Sequence, residues 1–405
     1  MKGLERQSVI SKVCKGWHML LIRLLEIILF VCFSVNILYL LVFSIASVFG
    51  KREKREKEAV SFRRVAILVP AYKEDRVIME CVESCLRQNY PHDRYDVVVI
   101  SDRMEAVTNG RLSALPLILE VVRFENSTKA KALNLAMSHL SGYDLALILD
   151  ADNTIGPDYL NQVNAAPFNG NIVGYQTHRT AKNKNTSLAY LDAVSEEINN
   201  SIFRQGHVNM GLSAALIGSG MVFDFELIKK MLSDIHAIGG FDRALELTLF
   251  KAGKRIDYLP DTYVLDEKVQ NCRDFARQRR RWLSAQIHYL REFVGDVPVA
   301  LLNKNWDFCD KLFQQMSIPR LLLLGGAFII ALVISFISWQ VSLKWWALFC
   351  ILIVSLLLAV PKSLYTRRLF VAVIELPETF FSMFLNLFRL KGANEKFIHT
   401  EHGVE

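Results

Sequence analysis

Three apolar segments are the most prominent feature of the hydropathy pattern, and we predict that each crosses a bilayer, whose core takes about 20 residues of helix. They are residues 27–49, 321–338 and 345–360. A basic run at residues 51–57 follows the first segment, so the positive-inside rule predicts that this end is cytoplasmic and that the N-terminus lies outside. Residues 1–50 are therefore interpreted as an N-terminal transmembrane segment, and residues 51–62 as a basic juxtamembrane linker.

Two other segments have the pattern of helices that lie at a membrane surface. Residues 305–318 place apolar side chains at helical spacing among charged ones, which predicts an interfacial helix within 301–320. Residues 369–390 carry Glu375, Pro377 and Glu378 near their middle. A charged side chain costs about 2.5–3.5 kcal/mol at the centre of a spanning helix, so an interfacial helix is favoured over a fourth span. We assign residues 321–405 to transmembrane and interfacial helices followed by a cytoplasmic tail.

Residues 63–300 alternate short apolar runs with helical patterns, which predicts an α/β domain. The predicted strands are 65–69, 96–100, 120–124 and 145–149, and the predicted helices include 77–88 and 129–138. Fully apolar strands that alternate with helices indicate a parallel sheet covered on both faces. Ligands bind beyond the carboxyl ends of such strands, and that is where the polar residues of this chain cluster.

Composition narrows the setting of this domain. The chain has 405 residues, of which 52% are hydrophobic, and a net charge of +7. Its seven cysteines are scattered, which predicts neither a disulfide framework nor a zinc site and favours a reducing, cytoplasmic setting. The positive charge is concentrated beside the membrane segments, so anionic lipid is a simpler partner than nucleic acid.

Asp150 and Asp152 end the fourth predicted strand and are candidate metal ligands. Residues two apart point the same way on a strand, so both carboxylates can face one site. Carboxylates bind Mg²⁺ or Mn²⁺, and such an ion stabilises the charge that develops on a diphosphate leaving group. The alternative is that Asp152 or Asn153 caps a helix beginning at Pro157.

Asp242 and Glu246 are candidate general bases because residues four apart share a helix face. Their alternatives are an N-cap for Asp242, and for Glu246 a salt bridge to Lys230, Arg243 or Arg279.

The run Gln278-Arg-Arg-Arg-Trp282 combines arginines, which bind anionic oxygens, with a flat ring on which a sugar can stack. Such a run is also typical of a solvated helix face or a lipid headgroup contact.

Seven short segments occur in a fixed order along residues 65–290. They are Val69-Pro-Ala-Tyr-Lys-Glu74, Ser101-Asp102, Lys129-Ala-Lys-Ala-Leu-Asn134, Asp150-Ala-Asp152, Gly218-Ser-Gly220, Tyr258-Leu-Pro-Asp-Thr262 and Gln278-Arg-Arg-Arg-Trp282. In these segments the chain resembles the membrane-bound family 2 glycosyltransferases, which include cellulose, chitin, hyaluronan and poly-N-acetylglucosamine synthases. The resemblance implies a GT-A-type nucleotide-sugar-binding domain and an inverting enzyme that uses a nucleotide sugar, with a UDP-sugar as the favoured donor.

The resemblance also implies roles for particular residues. Asp150 and Asp152 would hold nucleotide and metal, and Lys129 and Lys131 would lie near the donor. The surroundings of the base and ribose would be Ala71, Tyr72, Glu74 and Asp102. The acceptor end and the diphosphate would be bound by Gln278, Arg281 and Trp282. The implied acceptor is a glycan or a lipid-linked sugar at the cytoplasmic face of the bilayer, and other polysaccharide export subunits are candidate partners.

Two departures from the family pattern bear on activity. The family usually has Glu-Asp where this chain has Arg243-Ala244, and that Asp is the base. The base would then be Asp242 or Glu246, or the chain would be a non-catalytic subunit that binds nucleotide sugar or glycan within a synthase complex. The chain also has fewer predicted spans than synthases that export their own polymer, which argues against a complete pore in one subunit.

Overall fold

A computed structural model describes residues 2–50, 61–235, 237, 239–374 and 376–387 of the chain. The basic run at 51–57, Glu375 and residues 388–405, which include the end of the predicted interfacial segment and the predicted cytoplasmic tail, lie outside the described residues. The chain divides into two compact units, Met1–Val42 with Ile318–Leu357 and Phe43–Ser317 with Leu358–Glu405.

One sheet of eight strands organises the larger unit. The strands are β1 (Val65–Tyr72), β2 (Tyr95–Asp102), β3 (Ile118–Val122), β4 (Leu145–Ile148), β5 (Thr154–Ile155), β6 (Ile172–Ala181), β7 (Met221–Asp224) and β8 (Arg255–Asp266).

Helices of very different lengths surround this sheet and form the ends of the chain. They are α1 (Lys2–Phe49), α2 (Ile78–Leu86), α3 (Ala106–Ser113), α4 (Lys129–His139), α5 (Tyr159–Asn164), α6 (Ser187–Asn199), α7 (His207–Asn209), α8 (Phe225–Ser233), α9 (Phe241–Lys251), α10 (Cys272–Phe293), α11 (Val297–Leu302), α12 (Trp306–Met316), α13 (Arg320–Ile337), α14 (Trp339–Ala359), α15 (Arg367–Val373) and α16 (Leu376–Leu387). A π-helix, Asn200–Gly206, joins α6 to α7. Single 3-10 turns are His92–Arg94, Val294–Asp296 and Lys362–Leu364.

The strand order is β3-β2-β1-β4-β7-β6-β8-β5. The four strands predicted from the sequence lie side by side and are parallel, as predicted. The second half makes the sheet mixed, because β7 runs antiparallel to β4 and β6, and β5 runs antiparallel to β8. The polar residues in β6 hide this strand from a search for apolar runs. Three of them, Gln176, Thr177 and Arg179, are buried in the structure, and His178 is half-buried.

Both faces of the sheet are covered by apolar side chains. Along β1 the side chains alternate, with Ala66 and Leu68 in one core cluster and Val65, Ile67 and Val69 in the other. Helices α4, α8 and α9 cover the first face, and α2 and α5 cover the second. The sheet is therefore held from both sides, and its polar edge is the place where ligands can reach it.

A buried ionic cluster lies between α6, the π-helix and strands β6 and β8. The Glu196 carboxylate is 2.9 Å from Arg179, 3.1 Å from Arg204 and 3.7 Å from Lys268. Burial alone would raise the pKa of Glu196, but the three cations Arg179, Lys268 and Arg204 hold it well below its usual range. Glu196 is therefore charged in the folded protein at neutral pH, and it compensates part of the positive charge buried around it.

The last turns of α1 belong to the larger unit and pack against the π-helix and α7. The Ser47 and Ser201 hydroxyls are 2.7 Å apart, and Asn209 Nδ2 donates to the Ala46 carbonyl at 2.8 Å. The His207 ring stacks on Phe43 with a centroid distance of 3.7 Å. This end of the apolar N-terminal helix is thus fixed directly to the α/β domain.

The smaller unit has a polar contact between its helices. Glu26 of α1 accepts hydrogen bonds from Trp345 Nε1 at 2.6 Å and from Lys344 Nζ at 3.0 Å, both at the start of α14. Asn36 Oδ1 accepts from the Ile318 amide at 3.0 Å. These bonds satisfy polar groups within helices that are otherwise apolar on most faces.

Among the described residues, three helical segments are long and apolar enough to cross a membrane: Leu20–Phe49, Arg320–Ile337 and Trp339–Ala359. They overlap the three predicted spans, although the first begins seven residues before the predicted residue 27 and the third begins six residues before the predicted residue 345. Of the predicted interfacial segment 369–390, the structure describes residues 369–374 and 376–387, in which α15 ends at Val373 and α16 begins at Leu376.

We predict that Glu196→Gln lowers the free energy of unfolding by about 3–5 kcal/mol, because it leaves buried cations without their anion. The measurement is thermal unfolding of the purified protein in detergent. The difference in free energy of unfolding between variant and parent should narrow as the pH falls below about 4. In that range Glu196 becomes protonated in the unfolded chain before it does in the folded protein, so its stabilising contribution decreases.

Glu83→Gln is the matched control, because Glu83 forms an exposed ion pair with Arg87 at 3.6 Å on α2. It should change stability by no more than about 0.5 kcal/mol. Equal effects of the two substitutions would contradict the structural role assigned to Glu196.

Candidate active site

The first part of the candidate site lies at the carboxyl ends of β1 and β2. Ala71 and Tyr72 end β1, and Tyr72 is paired in register with Asp102, the last residue of β2. Asp102 is buried, and its Oδ1 accepts a hydrogen bond from the Phe124 amide at 3.3 Å. Glu74 lies in the turn just beyond β1, where its carbonyl accepts from the Ile78 amide at 3.1 Å. The structure therefore gathers these four predicted residues at one edge of the sheet.

The residues that follow these two strands have unusual backbone angles. Lys73, after β1, and Arg103, after β2, both have a φ of 57°. Left-handed conformations are costly for residues other than glycine, and they concentrate at sites where a tight turn must present neighbouring groups. The matching angles place a left-handed residue directly after each of the two strands, beside Tyr72 and Asp102.

Asp150 and Asp152 lie in the turn between β4 and β5, next to the end of β1. The Leu149 amide donates to the Leu68 carbonyl at 3.0 Å, which places Asp150 just beyond the sheet. The Asp150 amide donates to Ser219 Oγ at 2.9 Å, and the Ser219 hydroxyl in turn donates to Asn153 Oδ1. Helix α5 begins only at Tyr159, with Asp158 as its N-cap, so Asp152 and Asn153 do not cap it.

The two predicted lysines have different surroundings. Lys129 Nζ contacts the Asp150 carboxylate and donates to the Gly218 carbonyl at 2.7 Å. Lys131 Nζ instead donates to the Asn126 carbonyl at 2.9 Å in an exposed position. The structure thus brings Lys129, and not Lys131, into contact with the Asp-x-Asp turn.

A chain of polar contacts, not predicted from the sequence, continues from this turn into the buried ionic cluster. Asn153 Nδ2 donates to both Asp152 Oδ1 and Asp266 Oδ1, each at 3.1 Å. Asp266 is bound by Lys268 at 2.7 Å and lies 3.5 Å from Arg179. Burial would raise the pKa of Asp266, but Arg179 and Lys268 hold it below its ordinary value. Asp266 ends β8 at the same edge of the sheet. An acid at the end of a strand could have indicated this residue from the sequence, but β8 was not predicted as a strand.

The two candidate bases lie on α9 but differ in what they contact. A Cβ atom placed on Gly218 would be 3.9 Å from the Asp242 Cβ, so Asp242 lies beside the loop that Lys129 contacts. Asp242 is not the N-cap of α9, which was its alternative role, because that position is occupied by Gly240.

Glu246 points into the protein interior. Its Oε1 is 2.8 Å from Lys311 Nζ and accepts from the Leu216 amide at 2.8 Å. Burial raises the pKa of Glu246 above its ordinary value, against the opposing effect of Lys311. The predicted alternative of a salt bridge for Glu246 is observed, but its partner lies on α12 and is none of Lys230, Arg243 and Arg279.

The Gln-Arg-Arg-Arg-Trp run lies on α10, where Gln278, Arg281 and Trp282 share one helix face. Arg279 binds Asp192 of α6, and its guanidinium lies over the Trp282 ring at 4.4 Å. Burial lowers the pKa of Arg281. Within the described part of the chain, the buried Gln278 Oε1 accepts no hydrogen bond.

Helix α10 is fixed close to the start of α9. Gly240 has a φ of 66°, and a Cβ there would lie 2.8 Å from the Ala285 Cβ and 3.1 Å from the Tyr289 ring. The Tyr289 hydroxyl donates to the Gly239 carbonyl at 2.9 Å. The close approach therefore needs glycine, and it places the basic helix next to the helix that carries Asp242.

The donor set of the Asp-x-Asp turn fits a hard divalent ion. No group of three or more His, Cys, Asp or Glu side chains that could hold a metal is found among the described residues. Mg²⁺ is commonly bound by only one or two carboxylates, while substrate phosphates and water complete its coordination. The carboxylates of Asp150 and Asp152 fit that arrangement.

Comparison with known sequences assigns the chain to a family. The model of the glycosyltransferase like family 2 matches residues 63–285, more than half of the chain. The chain belongs to this family of glycosyltransferases.

Several named proteins are similar to parts of the chain. An N-acetylglucosaminyltransferase from Rhizobium meliloti is 29% identical over 237 residues, which are 54% of each protein. Glucomannan 4-beta-mannosyltransferase 7 from Arabidopsis thaliana is 20% identical over an alignment of 418 residues that covers 89% of this chain and 72% of that protein. The chain matches only about half the length of its bacterial relatives.

A solved structure shares the fold. The mannosyltransferase PcManGT from Pyrobaculum calidifontis, in complex with GDP-Man and Mn²⁺, has a TM-score of 0.51 and 17% sequence identity. The match covers 82% of this chain and 96% of that one. The predicted GT-A-type α/β domain is therefore confirmed.

We predict that Gly220→Ala, beside the Asp-x-Asp turn, is more destabilising than Gly253→Ala. Both glycines have positive φ, 64° and 68°, so both substitutions carry the same backbone cost of about 1–2 kcal/mol. A Cβ on Gly220 would also lie 2.5 Å from Thr177 Oγ1 and 2.9 Å from Val264 Cγ2, whereas Gly253 has open space. The overlap should add about 1–3 kcal/mol, measured by thermal unfolding in detergent. Equal shifts for the two variants would show that the loop is not packed as described.

Proposed function

We propose that this chain transfers a sugar from a nucleoside diphosphate sugar, with a UDP-sugar favoured, to a glycan or lipid-linked acceptor at the membrane, inverting the anomeric carbon. The observation that carries the proposal is the position of Asp150 and Asp152. They lie at the ligand-binding edge of a family 2 domain, beside Lys129 and the Gly218 loop. The names of the relatives, which include N-acetylglucosaminyltransferases, support a sugar-transfer reaction.

The nucleoside would bind at the ends of β1 and β2. Ala71 and Tyr72 offer an apolar surface and a ring for the base, and the Asp102 and Glu74 carboxylates can accept hydrogen bonds from the base and ribose. The left-handed Lys73 and Arg103, directly after these two strands, support this placement.

The diphosphate would lie between the Asp-x-Asp turn and α10. Asp150 and Asp152 would hold Mg²⁺ or Mn²⁺, and the Mn²⁺ in the complex of the mannosyltransferase with a similar fold supports a metal. Such an ion would neutralise the negative charge that develops on the leaving diphosphate. Arg281, a partly desolvated cation, would contact the phosphate oxygens.

Asp242 would be the general base. It would accept the proton of the acceptor hydroxyl as that oxygen bonds to the anomeric carbon and the bond to the diphosphate breaks. A single displacement of this kind inverts the anomeric centre. Glu246 would have no part in proton transfer, because Lys311 and the Leu216 amide already bind it in the interior.

The acceptor would bind against α10. Gln278 Oε1 offers a buried hydrogen-bond acceptor, and the Trp282 ring offers an apolar surface to a sugar. Arg279 holds Trp282 in place from its position between the ring and Asp192. The three spans would anchor the domain, with residues 63–300 as its catalytic part on the cytoplasmic side.

The direct test incubates the purified protein in nanodiscs with a panel of nucleotide sugars and measures the nucleoside diphosphate released, with Mn²⁺ or with a chelator. We expect release with one class of donor and loss of release with the chelator. Donor binding without any turnover, in the presence of Mn²⁺ and membrane lipids, would favour a non-catalytic nucleotide-sugar-binding subunit, as Arg243-Ala244 at the usual base positions suggests.

We predict that Asp242→Asn lowers turnover by about 10²-fold or more while donor affinity stays within a factor of about two, because only the proton acceptor is lost. Turnover and donor affinity are measured separately, by product release and by calorimetry. Glu246→Gln is the matched control on the same helix face, and it should lower thermal stability while the folded fraction keeps its turnover. If Glu246→Gln abolishes turnover and Asp242→Asn does not, the base is Glu246.

A further inference from the structure

We propose that Lys129 is an exchangeable counter-cation. It binds Asp150 in the ligand-free protein, and it leaves Asp150 for the diphosphate when a divalent ion takes that carboxylate. The inference rests on the proposed function, because it concerns the same metal and donor. It adds that Lys129 links the binding of the metal to the binding of the nucleotide.

The backbone of Lys129 is fixed, whereas its side chain can reach more than one partner. Lys129 is the first residue of α4, whose N-cap Thr128 accepts a hydrogen bond from the Lys131 amide at 3.2 Å. Ala130 and Leu133 anchor the first turns in the core. Only the four-carbon stem remains to move, and its ammonium is a compact charge with three N–H donors.

Two contacts hold that ammonium in the free protein. It forms an ion pair with Asp150, and it donates to the Gly218 carbonyl at 2.7 Å. The lysine side chain is 20% exposed and the aspartate side chain is 35% exposed, so water screens the pair only partly. The ammonium thus supplies the positive charge that Asp150 requires in this half-buried position.

A metal ion and the ammonium compete for the same carboxylate. Asp150 can ligate a divalent ion through its bound oxygen only after Lys129 moves, and two cations on one carboxylate repel each other. Removal of Lys129 should therefore make Asp150 a better metal ligand in the absence of nucleotide.

The displaced ammonium has an anionic partner close by when a donor is bound. The N-terminus of α4 favours negative charge, and the diphosphate must lie near any metal held by Asp150. Lys129 would then contact a phosphate oxygen. Metal binding to the free protein is weakened by Lys129, and binding of metal and diphosphate together is strengthened by it.

The test measures Mn²⁺ binding and UDP binding to the purified full chain in detergent. Lys129→Met keeps the length of the stem and removes the charge. We expect it to tighten Mn²⁺ binding without nucleotide by about fivefold or more and to weaken UDP binding at saturating Mn²⁺ by about tenfold or more, each equivalent to roughly one kcal/mol or somewhat above. Both are read by calorimetry and by the electron paramagnetic resonance signal of free Mn²⁺.

Lys131→Met is the matched control, because Lys131 lies on the same helix and its ammonium binds the Asn126 carbonyl outside the site. It should change both affinities by less than about twofold. Unchanged or weaker Mn²⁺ binding by Lys129→Met would overturn the proposal. Asp150→Asn in the same titration separates the metal site of the proposed function from the exchange of Lys129. If this variant binds Mn²⁺ as the parent does, the proposed metal site is wrong.

A second measurement uses the unmodified sequence and so does not depend on the folding of a variant. The rate at which an acylating reagent modifies Lys129 is read by mass spectrometry, with Lys131 as the internal reference. Mn²⁺ alone should raise the rate at Lys129, and UDP with Mn²⁺ should lower it again. A rate that is insensitive to Mn²⁺ would contradict the exchange.

Discussion

The buried ionic cluster around Glu196 is the constraint on which the rest of the site depends. One carboxylate lies among Arg179, Arg204 and Lys268 in the interior, where a charge without a partner is strongly unfavourable. The cluster continues through Asp266 and Asn153 to Asp152, so the position of the Asp-x-Asp turn depends on it. It also fixes α6 and the π-helix, and the π-helix contacts the last turns of α1. A single network thus joins the candidate metal ligands to the end of the apolar N-terminal helix.

The sequence was most informative where the physical signal is local. Continuous apolar runs predicted β1, β2 and β4 to within a few residues. Because acids directly follow these runs in the sequence, the positions of Asp102, Asp150 and Asp152 at the edge of the sheet were also predicted. The second half of the sheet was not predicted, because β6 and β8 bury polar and charged side chains whose partners lie on other elements. Glu246 and Lys311 are 65 residues apart in the chain, and no pattern of spacing could pair them.

The departure from the usual Glu-Asp pair has a structural explanation. Arg243 extends towards α12 and donates to Gln315 Oε1, and Ala244 is buried in the core that α9 forms with its neighbours. These two positions therefore connect α9 to α12 and to the core instead of facing the site. The carboxylate that remains beside the Gly218 loop is Asp242, two residues before the position at which the family usually places its base. If Asp242 is the base, as proposed, the acceptor hydroxyl would approach from the N-terminal end of α9.

The most direct test of the central claim, that a metal-bound diphosphate lies between the Asp-x-Asp turn and α10, is an experimental structure of the protein with Mn²⁺ and a nucleoside diphosphate. The account predicts an ion bound by Asp150 and Asp152, with the phosphates within reach of Arg281 and the base beside Tyr72. A nucleotide bound elsewhere, or an ion that contacts neither aspartate, would contradict it.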